Sequence, residues 1–430
     1  MAGVTDRPHL LFLCQTLPYP PDGGVWIRTY HVFRLLARAF DITALCFERP
    51  PMPGNRAAMD VEASRKALGR FGRVEVFPIP QRQSVARYAF DHLRSTVTRR
   101  VYTTYLYQSK PFQQRLEQLL RSTRFDLVHV DSLDLVRYLP ACDGIPVVCV
   151  HHDVESDLLK RRAAIEQNRW RRAYLRYQAR LTEDVEHRWC PRIALNVAVS
   201  DADRALLKQI APASRVTVVP NGVDIDEFRP AQTEVKGIAF AGGANWFPNL
   251  DALEFFCRQI QPELKGRAHI PVKWIGTASS EQQRTYRERY GVELTGYVED
   301  ARPLMAEAAC HIVPLRAGGG TRLKILNAWA MGKAIVSTSL GCEGLAAIDG
   351  QNILVRDDPK EFATAILSVL TDNDLRRRLE REGRATAERL YSWDIVGQDM
   401  NDSYLAIANA GSRHRAPAVA LGGQPRFGHL

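Results

Sequence analysis

Two cations stand where a helix ordinarily avoids them. In RAGGGTRLKILNAWAMG, from Arg316 to Gly332, the glycines Gly318, Gly319 and Gly320 are followed by Thr321, Arg322 and Lys324. The spacing predicts a helix from Thr321 to Met331, with Leu323, Leu326 and Ala330 on its core side and Asn327 near Thr321 and Lys324. A helix N-terminus is already partly positive, so each cation there costs about 0.3–1 kcal/mol. A bound anion removes that cost. Three glycines let the backbone turn sharply and approach a ligand closely, and free N–H groups at a helix start hold anions. A multiply charged anion such as a diphosphate therefore accounts for Arg322 and Lys324. The alternative is a glycine-rich turn with two solvated cations. The segment is not a Walker loop, and no G-x-G-x-x-G follows the first strand, which disfavours dinucleotide binding.

A second glycine pair, Gly23-Gly24, sits between a proline-rich loop and another helix, a second place for phosphate to approach backbone. Trp26, Tyr30, Phe33 and Ala37 recur at helical spacing and read as core. Arg28 could face either a cleft or solvent. The third chemical cluster is His151, His152, Asp153 and Glu155, delivered to the end of the strand VVCV. A His–Asp pair there can serve acid/base chemistry, sugar binding or metal binding. With no further His or Cys at ligand spacing, metal is the weakest of these, and no metal site is expected. The alternative is a helix start capped by Asp153 or Ser156. Asp131 and Asp134 imitate an acidic metal motif without its other ligands. Between Asp157 and Cys190, Trp170, Tyr174, Tyr177, Leu181 and Val185 form one stripe and Arg172, Arg176 and Arg180 another. This could rest on anionic lipid or be an ordinary solvated helix.

Short apolar runs alternate with helix-length amphipathic segments to position these groups. LLFLC, ITALCF, VEVFPI, LVHV, VVCV, IALNVAVS and VTVVP come first; IAFAGG, VKWIG, VELTGYV, CHIVPL, AIVSTS and ILVRD follow. Continuous apolar strands separated by helices indicate parallel sheets covered on both faces. The pattern occurs twice, so the expected fold is α/β, two Rossmann-like doubly wound domains facing a cleft. The turn-rich segment Val218–Gly237, with Pro220, Asn221-Gly222 and Pro230, marks the boundary. The expected domains are 1–220 and 235–390, with 411–430 a disordered tail. Ligands of such sheets bind beyond the strands' carboxyl ends.

At 430 residues the chain accommodates two or three domains. A net charge of +10 points to acidic partners: nucleotides, phosphorylated substrates, an anionic membrane surface or nucleic acid. The basic residues are dispersed and no nucleic-acid motif is present, which places nucleic acid last. The eight cysteines contain no C-x-x-C pair, and four lie in strand-like runs, indicating a reducing compartment. No run approaches a membrane span. The expectation is a cytoplasmic protein, at most peripheral at the inner face of the cytoplasmic membrane.

Taken together, these segments resemble glycosyltransferases of the GT-B fold, and within them the family-four group of retaining, nucleotide-sugar-dependent enzymes. The resemblance covers nearly the whole chain. It rests on VVPNGVDIDEFRP, PYPPDGGVWIRTYHV, PVVCVHHDVES, IAFAGGANWFPNLDALEFF and YSWDIVGQDMNDSY, the last resembling a terminal helix (about 391–410) that crosses back onto the first domain. The resemblance implies that a nucleotide diphospho-sugar binds mostly to the second domain and a glycan or lipid-linked acceptor to the first. It also implies transfer with retention, no resident cofactor and no obligatory metal, in cell-envelope or extracellular polysaccharide synthesis. His152 matches a family histidine near the transferred sugar, while Asn221 matches a structural linker residue. Arg322, Lys324 and the amides of 23–24 and 318–320 would neutralise the departing diphosphate, with Arg316 in reserve. Four positions depart from the pattern. Gly319 and Asn327 stand where the family has two glutamates, and Gly243 and Pro248 replace an Arg and a Lys. Glu343, after the next strand, is a substitute carboxylate. Two other readings remain open: a non-catalytic sugar-nucleotide-binding homologue, and a GT-B nucleotide-sugar 2-epimerase, which would need carboxylates that the motif lacks.

Overall fold

A computed structural model describes residues 7–49, 60–80, 84–264, 270–318 and 322–414. Gly319, Gly320 and Thr321 lie outside the described residues, as does 415–430 of the expected tail. The strands are β1 His9–Cys14, β2 Asp41–Phe47, β3 Arg73–Phe77, β4 Leu127–Val130, β5 Val147–Val150, β6 Leu195–Ala198 and β7 Val216–Val218. They continue with β8 Ile238–Ala241, β9 Val272–Ile275, β10 Val292–Leu294, β11 Cys310–Val313, β12 Ala334–Ser337 and β13 Leu354–Val355. Each falls on an apolar run named above. The first seven form one sheet, ordered β3-β2-β1-β4-β5-β6-β7, and the other six form a second, ordered β10-β9-β8-β11-β12-β13. The paired strands run parallel in both. These are the two Rossmann-like domains that the alternation predicted.

Strand order reverses between β1 and β4 in the first sheet and between β8 and β11 in the second. Loops leaving these strands splay apart there and open a crevice. The loops after β1, β4 and β5 carry Gly23, Asp131 and His152; those after β8 and β11 carry Gly243 and Gly318. Alternation along β1 divides the first domain's core into two layers. Leu10, Phe12 and Cys14 pack on one face, Leu11 and Leu13 on the other.

The Trp393–His414 helix returns to the first sheet. Trp393, Val396, Met400, Tyr404 and Ile407 are buried against the β1 layer. Tyr404 Oη lies 2.9 Å from His129 Nδ1, and Trp393 stacks on His31 with centroids 4.5 Å apart. Gly397 permits the approach, since a Cβ there would sit 2.5 Å from Leu35 Cδ2.

Packing on two sides corrects the reading of the Gly24–Leu36 helix. Trp26 and Tyr30 are only half-buried, while Arg28, Val32, Phe33, Leu35 and Leu36 form the inner face. Arg28 faces neither cleft nor solvent. It is 1% exposed and donates to Val219 O (2.8 Å), Pro220 O (3.0 Å) and Asn221 Oδ1 (2.9 Å), fastening the linker to the first domain. Losing these charge-assisted bonds strands buried acceptors, each worth about 1–3 kcal/mol. Arg28→Ala is expected to lower the denaturant midpoint by an amount equivalent to at least about 3 kcal/mol; an unchanged midpoint in urea unfolding would contradict this role.

Candidate functional site

Two helix N-termini meet across the cleft. The Gly24–Leu36 helix begins after Gly23, and the Leu323–Ala330 helix begins after Arg322, two residues later than the sequence predicts. Neither has a side-chain cap, so their first N–H groups lack the usual acceptor. A Cβ added at Gly24 would lie 4.0 Å from Leu323 Cδ1, so the first residues of the two helices face one another.

The cations at the start of the second helix are partly withdrawn from solvent. Lys324 Nζ donates to Asn249 Oδ1 at 2.7 Å and lies 4.0 Å from the Phe240 ring centroid, at the end of β8. Burial, reinforced by Arg322, pulls its ammonium well below the ordinary lysine range. The Arg322 guanidinium lies over Gly318, about where a Cβ would come within 3.2 Å. Gly318 has φ +120°, a conformation that favours glycine. Burial lowers the Arg322 pKa, while Asp153 and Glu343 oppose it. Arg316, the reserve candidate, is instead committed to Asp251 at 2.7 Å and covers the Phe255 ring.

On the first domain, His152 is nearly buried, with Nε2 3.3 Å from Asp131 Oδ1. Asp131 is the residue that sequence reasoning set aside as a false metal motif. It follows β4 directly, is 1% exposed, and accepts from Thr29 Oγ1 at 3.0 Å. Burial opposes its ionisation, yet His152 and His129 outweigh burial and hold the carboxyl well below its ordinary range. The neighbouring His151 has a different job: its Nε2 lies 3.0 Å from Asn196 Oδ1, and burial lowers it to about 4.

Acids crowd the same end of the sheet. Burial pushes Asp153 up to about 6, with Arg322 pulling the other way, and its Oδ1 has no hydrogen-bond partner among the described residues. Burial raises Glu155 well above the carboxylate range, and Asp134 and Asp153 add to it. The cap that the alternative reading placed here is absent. The Glu155–Ile165 helix starts after Val154 without a side-chain cap, and Ser156 instead donates through Oγ and N to Glu186 (2.5 and 3.1 Å). His152, Asp153, Glu155 and Glu186 line a small open pocket on the first domain. No group of three or more His, Cys, Asp or Glu among the described residues is arranged to hold a metal.

A residue with no distinguishing sequence signal spans the cleft. Arg161, inside the run KRR, donates to Glu343 Oε2 (2.7 Å), to Gly318 O (3.4 Å) and to Asp157 Oδ2 (2.5 Å). Glu343 is thus engaged by the opposite domain. The pair is about one-third exposed on each side, so it is worth about 0.2–1 kcal/mol. Arg161→Ala should leave the melting temperature nearly unchanged while raising the radius of gyration of the ligand-free protein in X-ray scattering. An unchanged scattering curve would show that this contact does not set the cleft width.

Two family models match the chain in succession. Glycosyltransferase Family 4 matches residues 22–227 and Glycosyl transferases group 1 matches 235–372. The chain belongs to the group 1 glycosyltransferases. Among curated members, it is 24% identical to phosphatidyl-myo-inositol mannosyltransferase of Mycobacterium leprae over 245 residues, covering 52% of this chain and 62% of that protein. It is 32% identical to the lipopolysaccharide core biosynthesis glycosyltransferase LpsE of Rhizobium meliloti over 123 residues, 27% of this chain and 33% of that one. The matched stretches span less than two thirds of either relative. Similar folds include HepE of Anabaena in complex with UDP (TM-score 0.64, 17% identity, 93% of this chain and 100% of that one). Sucrose-phosphate synthase from Thermosynechococcus elongatus is another (0.64, 15%, 94% and 100%).

Within this family's frame, the substituted positions have a geometric account. A Cβ at Gly243 would meet Thr277 Oγ1 at 2.2 Å and Asn245 Oδ1 at 2.6 Å, so a longer side chain there requires both to move. Lys324 brings its ammonium to the same loop, 3.0 Å from a Cβ position at Gly242. Asn327 is half-buried on the Leu323–Ala330 helix. The structure therefore brings together Gly23, Gly24, Gly318, Arg322, Lys324 and Glu343, with His152 and Asp153 at the first domain's edge. Asn327 joins this set only through its helix.

Proposed function

We propose that this group 1 glycosyltransferase moves a sugar from a nucleotide diphospho-sugar to a glycan or lipid-linked acceptor, with retention. The reading includes no resident cofactor and no obligatory metal. It places the enzyme in the cytoplasm or at the inner face of the cytoplasmic membrane, in cell-envelope or extracellular polysaccharide synthesis. One observation carries the reading: two uncapped helix starts meet across the cleft beside Arg322 and Lys324. A diphosphate there accepts from backbone N–H groups and from both cations, which stabilise the charge that develops on the leaving group. Gly318 lies on the donor side, and the resemblance assigns Gly319, Gly320 and Thr321 to the same diphosphate, with Asn327 near the ribose and Glu343 released from Arg161 to meet the sugar. His152, held by Asp131, stands at the transferred sugar. The acceptor enters the first-domain cavity lined by Asp153 and Glu155. HepE's crystal form with UDP-glucose supports a nucleotide-sugar donor for this fold.

The test is nucleoside diphosphate release from UDP-, GDP- and ADP-sugars in EDTA, with and without membrane extract as acceptor. Acceptor-dependent release from one donor class is expected. Binding of a donor with no release under any acceptor condition would favour a non-catalytic sugar-nucleotide-binding role. Epimerised sugar without transfer would indicate the epimerase.

A further inference from the structure

A helix on a globular domain ordinarily turns its apolar stripe inward and its polar side to water. The Val85–Thr98 helix does the reverse. Phe90, Leu93 and Val97 occupy successive turns of its outer face at 58, 62 and 74% exposure, with Tyr88 beside them at 54%. Its inner face is polar. Asp91 and Ser95 are buried, His92 Nδ1 lies 2.6 Å from Tyr174 Oη, and Ser95 Oγ receives Gln178 Nε2 at 2.9 Å. Among the described residues, four of the eleven strongly exposed large apolar side chains lie on this one helix. A fifth, Trp170 at 71%, lies on the adjoining Arg169–Trp189 helix, one turn before Tyr174. This relocates the surface suggested by the sequence. Tyr174 and Tyr177 are turned onto the Val85–Thr98 helix, Tyr177 Oη donating to Thr96 O at 3.1 Å, so the apolar ridge belongs to residues 88–97.

The charge around the ridge selects its occupant. Residues 85–100 and 169–180 contain nine arginines and a single acid, the buried Asp91. Arg99, Arg100, Arg169, Arg171, Arg176 and Arg180 are exposed. An apolar ridge rimmed by cations matches a bilayer with anionic headgroups, apolar side chains entering the acyl boundary and guanidinium groups meeting phosphates. A second copy of this chain would bring the same positive rim against itself. Nucleic acid offers no partner for Leu93 and Val97.

We infer that the Val85–Thr98 helix is the ridge by which this protein docks on an anionic membrane surface. Its position gives the docking a consequence. The chain leaves this helix and reaches Val101 and Thr103 within five residues, and both line the cavity that holds His152 and Asp153. A protein seated on the ridge therefore presents its acceptor cavity near the headgroups. That consequence rests on the lipid-linked acceptor of the proposed function; the docking itself does not.

The experiment is flotation of the full chain with vesicles of phosphatidylcholine alone and of phosphatidylcholine with phosphatidylglycerol in equal parts. Wild type and F90E/L93E are compared, both sites being exposed enough to leave the fold intact, with a nucleotide thermal shift as the folding control. Wild type is expected to float with the anionic vesicles and less so at high salt, and the variant's bound fraction to fall at least about tenfold. No flotation of wild type, equal flotation of the variant, or equal binding to neutral vesicles would overturn the docking ridge. So would a dimer in sedimentation velocity that the variant dissolves, because it would assign the ridge to a second copy. Flotation uses no donor. A chain that floats but binds no nucleotide keeps the ridge and loses the transferase reading, and the opposite result does the reverse.

Discussion

Lys324→Met weakens nucleoside diphosphate binding about 10- to 100-fold, the worth of one charge-assisted hydrogen bond in a partly dry site. Methionine keeps the stem over Phe240, so the fold should survive. The same residue gives binding a pH dependence. Burial and Arg322 hold the Lys324 ammonium well below its ordinary range. A bound diphosphate favours the charged form, so the pKa is higher in the complex than in the free protein. The complex then binds the extra proton, and affinity rises as pH falls, levelling off once Lys324 is charged in the free protein as well. Titration calorimetry in two buffers of different ionisation enthalpy should show proton uptake for wild type. The diphosphate titrates too, so the comparison with Lys324→Met isolates the lysine's share. Equal affinity and equal uptake in both proteins would remove Lys324 from the site.

His152→Ala lowers kcat by about 10²–10³-fold, as loss of one aligned polar group at a reacting centre does. Nucleoside diphosphate affinity should barely change, because Arg322, Lys324 and the helix starts lie on other elements. Asp131→Asn should reproduce part of this loss while leaving His152 in place. Asp131 Oδ1 lies 3.3 Å from Nε2 of His152, and Asp131 is itself anchored by Thr29. Steady-state kinetics with the identified donor measures both. A His152→Ala enzyme that keeps kcat and loses donor affinity would move the histidine from the transferred sugar to the nucleotide.

Elements built from contiguous pattern were legible in the sequence. All thirteen strands lie on apolar runs that could be named beforehand, because a strand buried on both faces has no polar alternation to disguise it. Gly318 was legible as a position of backbone freedom, and it has φ +120°. Residues whose role depends on a distant partner were not. Asp131 looked like half of a metal motif; its meaning comes from β4 and β5 being neighbours, which puts His152 beside it. Arg161 is one cation in a basic run until the second domain places Glu343 opposite. Arg28 shows the limit of helical periodicity, which identifies one inner face but not the burial of a second one by the linker at Val219, Pro220 and Asn221.

The central claim is that the cleft binds the diphosphate of a nucleotide-sugar. The most direct measurement is a thermal-shift series in EDTA with UDP, GDP, ADP and their sugar conjugates, on wild type and on Lys324→Met. A ligand at about 100 times its Kd adds roughly 2.7 kcal/mol, or about 2–4 °C for domains of this size. The account predicts a shift of that order for one base, larger with its sugar conjugate and sharply reduced in Lys324→Met. No shift with any nucleotide, or a shift that Lys324→Met leaves intact, would contradict it.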